Sequence, residues 1–251
     1  MKGKAGRFSR LAAIDPASLA GLTGWWDASD PSTLFDNATG GSVVAPNGEV
    51  GRIIDQSGNF RHFTQDSGSL RPLRKTAIQN NLDVVRFDGI NDRMVGNTYA
   101  SLQASSASSI FIVANAKTIR TDSSTPSLNE AVFSETFFGH GAFVLRSGNV
   151  SAFGEDSEPR TASVSYTVDS FIVLSSWHEA GSLHVQTNQN ASASVALGTR
   201  TFTGGAAQLG TNYDSSEFFD GDLGEMITYN VALSEANRNS VISYLMDKWG
   251  I

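Results

Sequence analysis

The chain has 251 residues, with 25 acidic against 18 basic side chains, a net charge of −7 and no cysteine. That balance excludes a disulfide framework and a cysteine-ligated metal site, and argues against a general nucleic-acid binder, which would carry a basic field. Hydrophobic content of 40% is enough for a packed core, and 17% charged residues with 24 glycines suit a turn-rich β protein.

Residues 1–18 read as a basic arm. Lys2, Lys4, Arg7 and Arg10 sit close together and suit an anchor on an acidic neighbour, or a disordered terminus. Met1–Asp15 has no apolar core and so is no signal peptide, and no apolar run is long enough for membrane insertion. Residues 19–251 then read as one domain.

Trp25 and Trp26 are adjacent, so on a strand they face opposite sides. Either both are buried, or Trp26 is exposed and stacks on a sugar or fills an interface. Residues 30–80 are rich in turns, with short strands at 50–54 and 62–65, and Leu82–Phe87 is the next clear strand. Ser109–Asn115 is apolar on both faces, as a central strand covered on both sides would be. Residues 130–153 suggest a meander.

A hairpin follows over 170–188. A three-residue loop, Glu179-Ala180-Gly181, would pair Trp177 with Leu183. That register puts Phe171, Val173, Trp177, Leu183 and Val185 on a core face, and Ile172, Leu174, His178, His184, Gln186 and Asn188 on the other. The chain closes with a half-buried strand carrying Leu223, Ile227 and Tyr229. A helix follows, capped by Ser234 and Gly250, with Val241, Ile242, Leu245 and Trp249 inward.

This C-terminal pattern, F-x-G-x-(apolar)-x-E through Y-N-x-x-L-S to Y-L-x-x-K-W-G-I, resembles the end of concanavalin A-like lectin/glucanase domains. Within these it is similar to the LamG-like jelly rolls of bacteriophage virion proteins and bacterial surface proteins. Gly21–Asp30, Ile54–Asn59 with Arg71-Pro72, and Phe87–Gly89 with Asn91-Asp92 resemble earlier landmarks of the family in the same order. The resemblance implies an all-β fold: a two-sheet antiparallel β-sandwich jelly roll with one C-terminal α-helix. It also implies that the first and last strands pair. The expected function is a non-catalytic virion structural protein, a capsid decoration or a head or tail fibre component, made in the host cytoplasm. Its expected partners are other virion proteins, further copies of itself and host surface glycans. A carbohydrate-binding module of a bacterial surface protein is the alternative, and a polysaccharide hydrolase the third reading.

Glycan or partner contacts are expected from Trp26, His178, His184, Gln186, Asn188 and Tyr213. A retaining glycosidase needs two carboxyls about 5–5.5 Å apart. Asp220-x-Asp222 has the right spacing on a strand, but the glucanase Glu-x-Asp-x-(x)-Glu motif is missing, and Glu225 looks structural. No cofactor is expected apart from Ca²⁺, for which Asp88, Asn91, Asp92, Asp220 and Asp222, with Asn212 and Asp214 nearby, offer hard oxygen ligands. Asp and Asn are also ordinary turn residues.

Overall fold

The run SSIFIVANA, with bulky or β-branched residues on both faces, forms a strand buried along its whole length within the first sheet. The computed structural model describes residues 14–96, 107–118, 130–134, 142–146, 149–155, 159–197, 206–212, 215 and 217–251. In chain order the strands are β1 (Leu22–Asp27), β2 (Leu34–Asn37), β3 (Gly40–Val43), β4 (Arg52–Ile53), β5 (Phe63–Thr64) and β6 (Leu73–Gln79). Then come β7 (Leu82–Asp88), β8 (Met94–Gly96), β9 (Ser108–Ala116), β10 (Glu130–Ser134), β11 (Ala142–Arg146) and β12 (Asn149–Glu155). The last are β13 (Pro159–Ser165), β14 (Ile172–Glu179), β15 (Ser182–Thr187), β16 (Ala193–Ala196), β17 (Gln208–Leu209) and β18 (Asp220–Tyr229), followed by helix α1 (Glu235–Trp249).

These strands form an antiparallel two-sheet jelly-roll sandwich with one C-terminal helix. One sheet runs β16-β15-β14-β9-β18-β7-β6, and β1 also pairs with β18; the other runs β13-β12-β11-β10-β17-β8-β5-β4-β2-β3. Between the sheets lie Trp26, Leu34, Phe63, Phe87, Ile112, Phe133 and Met226. A second apolar layer, with Phe111, Val173, Ile227, Tyr229, Val241, Leu245 and Trp249, lies between the first sheet and α1.

β18 is the axis of the first sheet. One edge pairs with β9; the other is shared, Asp220–Leu223 with β7 and the remainder with β1. A bulge at Gly224 shifts the register between Leu223 and Glu225. It sends Leu223 and Met226 into the inter-sheet core and turns Glu225, Ile227 and Tyr229 toward the helix. The half-buried strand expected from the alternation of Leu223, Ile227 and Tyr229 is therefore corrected: from Gly221 onward every residue of β18 is buried, because α1 covers its second face. The helix caps are as the sequence suggests. Ser234 Oγ accepts from Asn237 N at 3.3 Å, and Gly250 takes the left-handed conformation at φ 66°.

The hairpin differs from the expected one. Ala180 (φ 49°) and Gly181 (φ 76°) form a two-residue turn, Glu179 pairs with Ser182, and Trp177 stands opposite His184 rather than Leu183. Two successive positive φ values are the signature of a type I′ turn, whose twist matches the strands. Consequently Leu174, His178, Leu183 and Val185 face the opposing sheet, while Val173, Trp177, His184 and Gln186 lie on the helix side. Hydrophobic sorting fails here because β14 is covered on both faces, so its pattern carries no register information.

The free edge of β1 is closed by the loop 55–62. Asp55 Oδ1 accepts from Trp25 N (2.9 Å) and Ser57 N (2.9 Å), and Gln56 N donates to Trp25 O (2.7 Å). Thr23 O accepts from Arg61 Nη1 (2.9 Å) and Asn59 Nδ2 (3.3 Å). The loop thereby satisfies edge groups that would otherwise recruit a foreign strand.

Candidate functional site

The turn at Ala180-Gly181 has a second effect: it places Trp177 and His184 side by side on the helix-facing surface. Their rings stack with centroids 4.7 Å apart and an interplanar angle of 3°. The guanidinium carbon of Arg238, from the first turn of α1, lies 4.1 Å from the Trp177 ring centroid. Trp177 Nε1 donates to Glu179 Oε1 at 3.0 Å. Beyond this cluster the loop 188–192 completes a groove of about 660 Å³, lined also by Gln186, Gln189, Asn190, Glu235 and Asn239. Burial pushes the His184 imidazole below its ordinary range; Arg238 adds to this and Glu179 opposes it. The groove thus presents a neutral imidazole, several amides, one cation and two carboxylates. This donor and acceptor set suits a neutral polyhydroxylated ligand.

The buried carboxylates are committed elsewhere. Asp222 is fully buried and takes a two-point contact from Arg86, at 2.6 Å from Nε and 2.9 Å from Nη2. Asp220 accepts from Thr118 Oγ1 at 2.7 Å. Glu225, buried under α1, accepts from the Trp25 indole (2.8 Å), Tyr244 Oη (3.0 Å), Lys248 Nζ (2.6 Å) and the Trp249 indole (3.1 Å). Desolvation and the nearby Asp27 push the Glu225 carboxyl up, while Lys248 and Trp249 pull it back. Burial disfavours the Lys248 ammonium, but the two carboxylates outweigh that and hold it above its usual range.

In the 88–92 turn, two of the expected Ca²⁺ ligands, Asp88 and Asp92, accept from backbone amides. Asp88 Oδ1 accepts from the amides of Ile90, Asn91 and Asp92, and Asp92 Oδ2 accepts from Asp88 N at 3.1 Å. Among the described residues no group of three or more His, Asp or Glu side chains could hold a metal ion. Desolvation, with Asp88 and Glu49 nearby, pushes the Asp92 carboxyl up to about 7. A raised acid favours the native state below its unfolded value of 3.8, and that contribution is lost as pH rises through about 7. Asp92→Asn, which keeps an acceptor for Asp88 N, is therefore expected to stabilise the protein by about 1–2 kcal/mol at pH 8 and to make no difference below pH ~4. Urea unfolding at the two pH values checks this; a destabilised variant at pH 8 would mean that the ionised form is specifically held.

Of the expected contact residues, His184 and Gln186 line the groove. Trp26 does not: it is 1% exposed, packs edge-on against Phe63 at 4.9 Å and donates Nε1 to Arg61 O. His178 is 1% exposed and faces the opposing sheet, a consequence of the hairpin register. Asn188 forms a turn at φ 51°, its Oδ1 accepting from Val173 N. Tyr213, Asp214, Lys2, Lys4, Arg7 and Arg10 lie outside the described residues. Sequence reasoning missed Trp177, Glu179 and Arg238. The signal for Arg238 was its place in the first turn of α1, where a cation opposes the helix dipole and wants a carboxylate or a ring nearby.

No protein-family model and no curated protein matches the chain. Solved structures do. The binding domain of Paraclostridial Mosquitocidal Protein 1 aligns with a TM-score of 0.64 at 12% identity, covering 93% of this chain and 54% of that one. The botulinum neurotoxin type G receptor binding domain gives 0.62 at 8% identity, covering 90% and 52%. A Trypanosoma rangeli sialidase, in complex with a difluorinated nononic acid, gives 0.60 at 8% identity, covering 92% and 33%. At these identities the likeness is one of fold, and the chain spans about half the length, or less, of these solved chains.

Proposed function

We propose that the chain is a non-catalytic, lectin-like binding module carried on a bacteriophage particle, as an outer capsid or fibre component whose groove contacts host-surface glycans. The observation that carries the binding reading is the groove itself: amides and charged groups converge beside the Trp177–His184 stack on the two-sheet scaffold. The non-catalytic reading is supported by Asp222 and Glu225, whose oxygens are taken up by Arg86 and by the helix donors. The particle reading rests on the resemblance of the landmark stretches to phage jelly rolls. Several copies per particle would raise weak single-site affinities by avidity.

The test has two parts. On a glycan array the protein is expected to bind a defined set of sugars, and the double variant Gln186→Ala, Gln189→Ala to bind them at least tenfold more weakly, with a melting temperature lowered by only a few degrees for the lost bonds to Asn190 O and Ser243 Oγ. Electron microscopy of the protein mixed with particles from lysed host cells is expected to show regular decoration. A folded protein that binds no sugar removes the glycan role. Sugar binding without decoration would leave the surface-protein module, the reading favoured by the likeness to toxin binding domains.

A further inference from the structure

Nine non-glycine residues among those described have positive φ, and eight of them are Asn, Asp, Ala or Ser. The ninth is Phe60, at φ 58°. For a bulky side chain this conformation is a genuine outlier and is held only when its surroundings over-determine it. They do so here. Asp55 Oδ2 accepts from Arg61 N at 3.0 Å, and Asp55 N donates to His62 Nδ1 at 3.0 Å. Asn59 Nδ2 reaches Ser57 Oγ at 2.9 Å, and Arg61 O accepts from the Trp26 indole at 2.8 Å. The effect of this locked, strained turn is to hold the Phe60 ring in water, 78% exposed. It meets the His62 ring edge-on at a centroid distance of 6.3 Å.

We infer that Phe60 is a preorganised knob that inserts into a concave apolar pocket of a protein partner. Two features select this class of partner. A sugar site needs polar groups converging on the ligand, whereas Ser57, Asn59 and Arg61 turn theirs inward onto the carbonyls of Leu22 and Thr23. A nearly bare ring on a protruding turn also has both faces to cover, and a pocket does that where a stacked sugar covers one. Within 56–62 the only formal charge is that of Arg61, on a chain of net charge −7, so the turn is a place where an acidic or neutral protein rim can approach without repulsion. Loss of a buried aromatic anchor is the kind of truncation that dominates interface affinity.

Taking the partner to be a protein of the particle rests on the proposed function above, so the test separates the two. The protein and its Phe60→Gly variant are compared in thermal unfolding and in binding to purified particles. Glycine suits φ 58°, so the variant is expected to melt at the same or a higher temperature. It is also expected to bind particles at least tenfold more weakly, while keeping its glycan-array profile. A lower melting temperature would make Phe60 a structural residue and overturn the inference, as would unchanged particle binding. Loss of glycan binding instead of particle binding would assign the ring to sugar. If the wild-type protein ignores particles, the particle reading falls and takes this partner with it.

Discussion

Glu225→Ala is expected to lose about 3–5 kcal/mol of stability, enough to unfold most of a marginally stable domain. The carboxylate is fully buried and accepts from four side chains: two indoles, a phenol and an ammonium. Removing it deprives those donors of their shared acceptor beneath α1, and leaves Lys248 with Asp27, at 2.6 Å, as its remaining carboxylate. Glu225→Gln should lie between, at about 2 kcal/mol, since one oxygen is kept while an NH₂ is set against existing donors. Denaturant unfolding followed by tryptophan fluorescence reads both. A loss under ~1 kcal/mol for the alanine variant would mean that the helix end shifts to let water in.

Trp26→Ala should cost about 3–5 kcal/mol, because an indole packed between the two sheets is removed and the β-sandwich cannot collapse around the space. It also breaks the bond from the indole to Arg61 O, which tethers the loop 55–62. The variant separates two roles for this residue. If Trp26 is core, the melting temperature falls by many degrees and glycan affinity per folded molecule is unchanged. If sugar binding falls while the melting point holds, the residue acts at the surface.

The legible parts of this fold are those where local chemistry and tertiary environment agree. Ser234, Glu235 and Gly250 mark the helix because caps act over one turn, and Ser109–Asn115 announces a covered strand by its composition alone. The groove was only half legible. His184 and Gln186 were picked out as polar strand residues, but their true neighbours depended on a one-residue difference in the turn, and the doubly covered β14 hid the choice. Trp177, expected on a core face, is buried, but beneath His184 and Arg238 rather than between the sheets. Glu225 looks structural in the sequence, but nothing in a strand pattern shows that two indoles, a tyrosine and a lysine will gather over it. Phe60 was invisible for the opposite reason: in sequence it is one aromatic in a turn-rich stretch, and its exposure comes from a hydrogen-bonded framework spread over residues 22–62.

The position of β18 bears on how the chain is made. Its neighbours β1, β7 and β9 are all synthesised long before it, and none can complete the first sheet until residues 220–229 have left the ribosome. Until then the nascent chain carries a vacant central slot flanked by open strand edges, and pairing the first strand with the last closes a loop of nearly the whole sequence, the slow kind of topology. The first sheet is therefore completed late, and a chain cut before β18 leaves β7-β6 and β9-β14-β15-β16 without the strand that pairs with both.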